Sequence, residues 1–325
     1  MNDRIAIVED VWGSVFEDLS ARHTVLREPD AWSDPDRLDE LVGSSSVVVI
    51  RNRTQMTAEL MKQSSELKVI ARAGVGLDNI DLAAADDLGI VVVAALGANA
   101  ASVAEHTLGL ALAVARRVVP LDRDVRAGQW NRLPGRELAG GTWGLLSAGA
   151  TARATARLAR GLGMEVVAFD PYVGHDDAEL AEIGVRLAPL NEVVSAADVL
   201  SIHLPATPDT VGLVDESLLA RMKPAAIVVN AGRGEVVDET ALHAALSSGR
   251  ILGAGLDVRA TEPPSAPDLF QDLDNVVLTP HIAGITEQAQ DRIMSLLCTD
   301  IDATLSGRPA HCHVGRTSTP REESR

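Results

Sequence analysis

The stretch Thr142-Trp143-Gly144-Leu145-Leu146-Ser147-Ala148-Gly149-Ala150-Thr151-Ala152 decides how this chain is read. A strand-like run enters a turn of small residues, and a helix pattern follows over 152–161. A second β-branched run, Glu165–Phe169, ends in Asp170. Strand, small-residue turn, helix and strand within about 30 residues make a βαβ unit. Where such a turn holds a dinucleotide, one glycine permits the tight turn, a second lets the backbone approach a pyrophosphate, and a third allows close helix packing. Only the middle glycine, Gly149, is present. Ser147 carries a Cβ and a hydroxyl into the turn, and Ala152 is an accepted small substitute for the third. Asp170 stands about 20 residues beyond Gly149, the spacing at which a carboxylate meets a ribose hydroxyl. Alone, the loop is equally an ordinary turn. With Asp170 it points to a nicotinamide dinucleotide, and to NAD over NADP because a carboxylate repels a 2′-phosphate.

The same alternation extends both ways. Upstream, Ile5–Val8, Val47–Ile50, Lys68–Ala71 and Ile90–Val93 read as strands, with helices over Ala58–Ser65 and Leu82–Leu88. A long helix is expected over Ser102–Val119, with Ser102 as N-cap and Glu105 at capping-box spacing. Arg116, Arg117, Arg123 and Arg126 then mark a polar, exposed stretch. Downstream, Val199–His203, Ala226–Asn230, Gly253–Asp257 and Val276–Leu278 complete the strand series, and a last helix over Glu287–Leu305 returns to the first domain. Strands alternating with helices predict an α/β chain with parallel, doubly wound sheets. The expected division is 1–98 with 286–310, then 99–285, then a disordered tail over 311–325 rich in Arg, Ser, Thr and Pro. His311-Cys312-His313 in that tail lacks a second ligand pair, so it reads as solvated and no metal site is expected.

Composition narrows the function classes. Apolar residues make up 46% of the 325, enough for two sizeable cores. Aromatic content of 2% and a formal charge of −17 both argue against nucleic-acid binding, which relies on stacking and on Lys and Arg. Two cysteines, Cys298 and Cys312, imply no disulfide framework. No apolar run reaches membrane-spanning length and the N-terminus lacks the order of a secretory signal, so a cytoplasmic chain is expected.

Three strand ends in the second half carry ionisable residues: Asn230-Ala231-Gly232-Arg233-Gly234, Leu256-Asp257 with Glu262-Pro263-Pro264, and Thr279-Pro280-His281. Arg233 suits the holding of a carboxylate, because guanidinium is always charged and forks two hydrogen bonds. His281 titrates near neutrality and suits proton transfer. A carboxylate at Glu262 would orient it and favour the imidazolium. Asp257 is placed to accept from a nicotinamide carboxamide. Taken singly, each has a plain alternative: a surface arginine, a turn carboxylate, a structural histidine. Arriving together at successive strand ends, where open α/β sheets bind ligands, they read as one catalytic set.

With Ala71-Arg72-Ala73-Gly74-Val75-Gly76-Leu77-Asp78-Asn79-Ile80-Asp81 and Ser102-Val103-Ala104-Glu105-His106-Thr107, these segments resemble the D-isomer-specific 2-hydroxyacid dehydrogenase family over nearly the whole chain. The likeness is to its phosphoglycerate dehydrogenase-like branch without the regulatory C-terminal extension. The resemblance implies two Rossmann-like domains with the active-site cleft between them, the first for substrate and the second for the dinucleotide. It implies Arg233, Glu262 and His281 as catalytic residues. It implies a cofactor site of Gly149, Ala150, Thr151, Asp170, His203, Pro205, Thr210, Ala231 and Asp257. It places the Gly74–Val75 backbone at the substrate carboxylate, and Arg51 near the distal anion of a phosphorylated or phosphonate-bearing acid. Arg53, one residue on from Asn52, could share a strand face with Arg51. A homodimer through the dinucleotide domain is also implied. Departures from the family pattern, at Ser147, Ala94-Ala95-Leu96, Gly141, Trp143 and Arg259-Ala260, bear on cofactor affinity and substrate identity. A dinucleotide-sensing or corepressor-like interaction protein of the same fold is the alternative that the altered loop favours.

Overall fold

The computed structural model describes residues 3–11 and 15–321, with the backbone alone for 15–17. In chain order the first elements are β1 (Arg4–Ile7), α1 (Val15–Ser20), β2 (Thr24–Arg27), α2 (Pro35–Gly43), β3 (Val47–Ile50), α3 (Ala58–Lys62), β4 (Val69–Arg72), α4 (Leu82–Asp87) and β5 (Val91–Ala94). Next come α5 (Ala100–Ala115), α6 (Val118–Arg126), β6 (Thr142–Leu146), α7 (Ala150–Gly161), β7 (Glu165–Phe169), α8 (Ala178–Ile183), β8 (Val185–Leu187), α9 (Leu190–Ala196) and β9 (Val199–Ile202). The remainder are α10 (Glu216–Leu219), β10 (Ile227–Asn230), α11 (Glu239–Ser247), β11 (Gly253–Leu256), β12 (Val276–Leu278), α12 (Glu287–Leu305) and β13 (His313–Val314). The chain divides into two compact units, Met1–Asn99 with Ile285–Arg325, and Ala100–Gly284.

The first unit holds a six-stranded sheet in the order β13-β5-β4-β3-β1-β2, parallel except for β13. Val47–Ile50, Val69–Arg72 and Val91–Ala94 are buried on both faces, as strands covered by helices on either side must be. Residues Ile293, Met294, Leu297 and Ile301 of α12 close one face against Ile5, Val47, Val69 and Val91. The strand order reverses between β1 and β3, the switch point of a flavodoxin-like sheet.

The second unit holds seven parallel strands, β12-β11-β10-β9-β6-β7-β8. This is the doubly wound order with its switch point between β6 and β9. Helix starts in this unit follow capping chemistry, with Asp177, Asp215 and Asp238 each accepting a backbone N–H in the first turn of α8, α10 and α11, and Thr286 does the same for α12 of the first unit.

Two expectations need correction. Ser102 does not cap a helix; α5 begins at Ala100, because two alanines extend it readily, and Ser102 is buried inside it. That helix also stops at Ala115. Arg117 adopts φ 54° and α6 starts afresh, with no residue of it buried. Nor is the tail disordered over 311–321. His313 and Val314 pair antiparallel with Val93 and Val92. Asp300 accepts from the His311 and Cys312 N–H groups, and Asp86 from those of Arg316 and Thr317. Covering the β5 edge satisfies backbone groups that polar composition does not reveal. Residues 322–325 lie outside the described residues. Among the described residues no cluster of His, Cys, Asp and Glu could hold a metal, and no helix is long and apolar enough to cross a membrane.

Candidate active site

In the second unit β10, β11 and β12 are neighbours, so their carboxyl ends deliver Arg233, the segment 257–262 and His281 to one edge of the sheet. The loop after β10 is shaped by Asn230, a buried residue. Its Oδ1 accepts from Gly232 N–H at 3.1 Å, and its Nδ2 donates to the Arg233 carbonyl at 3.0 Å. Gly232 is needed there, since a Cβ would fall 2.9 Å from the Leu204 carbonyl oxygen.

Asp257 is 1% exposed and is filled from several sides. Its Oδ1 accepts from Thr279 Oγ1 at 2.6 Å and Ile282 N–H at 2.9 Å, and its Oδ2 from Ala283 N–H at 2.8 Å. His106, on α5, reaches Thr279 Oγ1 at 2.9 Å and lies 3.4 Å from Asp257. Burial pushes the Asp257 carboxyl up, but these hydrogen bonds outweigh it and the net shift is down. The residue expected beside a carboxamide is therefore seen holding the 279–283 segment. His281, on that segment, adopts φ 55°, a left-handed conformation uncommon for a residue with a side chain. Its Nδ1 lies 2.7 Å from Glu262 Oε2. Burial pushes Glu262 up; the bonds from His281 and from Arg259 N–H more than reverse this, so it stays below the usual carboxylate range. A histidine held through Nδ1 by a carboxylate leaves Nε2 to exchange a proton.

The loop after β6 lies at the switch point. Ser147 adopts φ 103°, where glycine is the unstrained residue, and its Oγ accepts from Gly149 N–H at 3.1 Å. Gly149 precedes α7 with no side-chain cap, so the N–H groups of Ala150 and Thr151 form a helix start suited to an anion. A Cβ on Gly149 would meet only Ser147 Oγ, at 3.4 Å. Asp170 accepts from Ala148 N–H and Tyr172 N–H at 2.8 and 2.9 Å, which ties its carboxylate to the loop. Across the switch point, the Trp143 indole donates to Ser201 Oγ at 2.8 Å, and that oxygen lies 3.0 Å from His203 Nε2. His203 Nδ1 is buried without a hydrogen-bond partner among the described residues, and burial lowers the histidine to about 4. An uncapped helix start, an aligned carboxylate and an orphaned ring nitrogen at one switch point fit a dinucleotide. The Thr210 hydroxyl donates to the Pro205 carbonyl at 2.6 Å and accepts from Thr207 N–H at 2.8 Å. Ala231 N–H reaches the Ile202 carbonyl at 3.4 Å.

The first unit presents Arg51 at its own switch point. Glu9, buried just past β1, accepts the successive N–H groups of Arg51, Asn52, Arg53 and Thr54 at 2.8 to 3.1 Å. These residues form a loop, so the strand alternation expected to align two arginines does not apply. Arg53 lies over the Trp32 ring at 4.6 Å, while Arg51 is half-buried, which lowers its pKa although Glu9 and Asp10 oppose the shift. Gly74 and Val75 follow β4, with the Arg72 guanidinium across Gly74, where a Cβ would overlap it at 1.5 Å. Glu9 and Asn230 escaped sequence reasoning because their partners are backbone groups, and Arg259 because its carboxylate partners, Glu239 and Asp268, lie on other segments. The one legible signal was Arg259, noted only as a departure from the family pattern.

Three comparisons bear on this geometry. A family model described as D-isomer specific 2-hydroxyacid dehydrogenase, NAD binding domain, matches residues 108–283. The D-3-phosphoglycerate dehydrogenase of Archaeoglobus fulgidus is 42% identical over 273 residues, covering 83% of this chain and 51% of the relative. The chain thus spans about half the length of the curated relatives it matches. Among solved structures, the TT0316 protein of Thermus thermophilus aligns with a TM-score of 0.88 and 32% identity, covering 96% of this chain and 99% of that one. An NADPH-dependent glyoxylate/hydroxypyruvate reductase of Sinorhizobium meliloti, solved with NADP and malonate, aligns with a TM-score of 0.85 and 27% identity, covering 99% of each.

Proposed function

Because the chain belongs to the D-isomer specific 2-hydroxyacid dehydrogenase family, we propose that it interconverts a small anionic 2-hydroxy acid and its 2-oxo acid. The observation that carries this reading is the 2.7 Å pair between His281 Nδ1 and Glu262 Oε2, one strand end away from Arg233. The nicotinamide dinucleotide, when bound by the second unit, would supply the hydride for substrate C2 or take it up. Arg233 holds the substrate carboxylate and polarises the C2 oxygen. His281 gives that oxygen a proton from Nε2 during reduction and takes it back during oxidation. Glu262 accepts from Nδ1–H in both directions, which fixes the ring and its orientation.

We propose that Gly149, Ala150, Thr151, Asp170, His203, Pro205, Thr210, Ala231 and Asp257 surround the dinucleotide. NAD is preferred, since Asp170 would face a 2′-phosphate with like charge. In the first unit, Arg51 and the Gly74–Val75 backbone receive anionic groups of the substrate, phosphate or phosphonate included. The place of Arg51 at a switch point supports this. The protein works in the cytoplasm as a homodimer. Val118, Val125, Trp130 and Leu133, all more than half exposed in and after α6, supply an apolar face for a second copy.

The test is NADH oxidation with 3-phosphohydroxypyruvate, glyoxylate and phosphonopyruvate. Turnover on at least one is expected, with His281→Ala abolishing it while NADH still binds. Full activity in that variant would remove His281 from the mechanism.

A further inference from the structure

The segment Val258-Arg259-Ala260-Thr261-Glu262 leads from the end of β11 to the carboxylate partner of His281. Residues 260–267 are all exposed, so something else must hold Glu262 in place. The Arg259 side chain, 9% exposed, has the contacts to do it. Its Nε and Nη2 donate to the two oxygens of Glu239 at 2.9 and 3.0 Å, and its Nη1 donates to Asp268. Its guanidinium carbon lies 4.8 Å from the centre of the Phe270 ring. Glu239, the first residue of α11, also accepts from Ala260 N–H at 2.9 Å. Both ends of the exposed loop are thereby pinned.

The anchored backbone touches one member of the catalytic set and the chain neighbour of another. Arg259 N–H donates to Glu262 Oε1 at 3.0 Å, which leaves Oε2 for His281. The 259–260 peptide also presses on Gly234, beside Arg233: a Cβ there would fall 1.9 Å from the Arg259 carbonyl carbon. A bidentate ion pair in a largely desolvated site is rigid, and removing one partner leaves the other charge buried.

We propose that Arg259 is a positioning residue, an ion-paired anchor that fixes its own peptide N–H so that Glu262 presents one oxygen to His281. The assignment of Glu262 and His281 to proton transfer rests on the function proposed above; the anchor itself does not.

The test has a spectroscopic arm and a kinetic arm, both on the full chain. In protein without cofactor, the hydrogen-bonded Nδ1 proton of His281, identified by its loss in His281→Gln, is followed by NMR. It is expected in the wild type and in Arg259→Lys, and absent in Arg259→Ala. Kinetically, Arg259→Ala should lower kcat by about 100-fold, the scale of a small misplacement of a reacting group. NADH affinity should stay within about twofold, because the positioned group is not in the glycine loop. The double variant Arg259→Ala, Glu262→Gln should be no slower than Glu262→Gln alone, as expected when one residue acts through the other. An intact proton resonance in Arg259→Ala, or losses that multiply in the double variant, would overturn the proposal. If Arg259→Ala does not fold cooperatively, Glu239→Gln, which weakens the same anchor at constant size, takes its place with the same expected and overturning results. A resonance that behaves as expected in a protein that turns over no 2-oxo acid would support the anchor and reject the function.

Discussion

His281 is held by Asp257 twice over: its N–H donates to the Asp257 carbonyl at 2.7 Å, and the next two N–H groups, of Ile282 and Ala283, donate to the Asp257 carboxylate. A histidine at φ 55° is kept there by these bonds. Asp257→Asn exchanges one acceptor oxygen for a donor facing N–H groups, and should destabilise the protein by about 1–3 kcal/mol. The pH dependence has a definite sign. The folded-state pKa of Asp257 lies below its unfolded value, so its stabilisation is complete above about pH 4 and is lost as pH falls further. Denaturant titrations below pH 4 should therefore show a shallower acid loss in Asp257→Asn than in the wild type; parallel curves would contradict this.

His203 supplies a second pH window. Its folded value of about 4 lies below the unfolded value of about 6.5, so the unfolded chain binds the proton first. Stability is full above pH 6.5, falls between 6.5 and 4, and levels off below. The shift corresponds to roughly 3 kcal/mol. His203→Gln, which can still accept from Ser201, should lose this slope. Chemical unfolding at pH 7, 5.5 and 4.5 measures it.

Ser147→Gly relieves a side chain held at φ 103° and frees the Gly149 N–H now given to Ser147 Oγ. A gain of about 1 kcal/mol is expected. NADH should also bind more tightly, as read by a fluorescence titration. A variant that is no more stable and binds NADH no better would show that the loop carries no strain against the cofactor.

Arg51→Ala should lower kcat/KM for 3-phosphohydroxypyruvate by about 10- to 100-fold, the value of a lost charge-assisted contact, and leave glyoxylate nearly unaffected. Glu9→Gln, which weakens the clamp on four N–H groups, should follow the same substrate pattern to a smaller degree. Equal losses on both substrates would mean that the loop only supports the fold.

Val125→Asp and Trp130→Asp place charges on the exposed apolar face. Sedimentation should show a dimer for the wild type and monomers for the double variant, with each copy still folded.

The legible parts of this molecule share a physical cause. Val47–Ile50 and Val91–Ala94 read directly as strands because parallel strands buried on both faces become unbroken apolar runs. Thr24–Arg27 and Val185–Leu187 lie at sheet edges, half exposed, and carry no such run. In the site, Glu262 and His281 were legible because strand ends in these sheets face ligands, and they do meet at 2.7 Å. The backbone-directed roles of Asn230, Asp257 and Glu9 were not: each acts in its own loop on peptide N–H or carbonyl groups, which every residue has and no sequence displays. Arg259 has side-chain partners at Glu239 and Asp268, but those pairings depend on where α11 and the exposed loop come together.

The discontinuity of the first unit sets an order of events during synthesis. Residues 1–99 leave the ribosome without Ile293, Met294, Leu297 and Ile301, which seal one face of their sheet, and without His313 and Val314, which pair its β5 edge. The 100–284 unit is contiguous and contains all of its own strands, so it is complete before its predecessor in the chain can close. Until residues 285–325 emerge, the nascent sheet of the first unit presents an apolar face and an open edge, the two features that recruit holding chaperones.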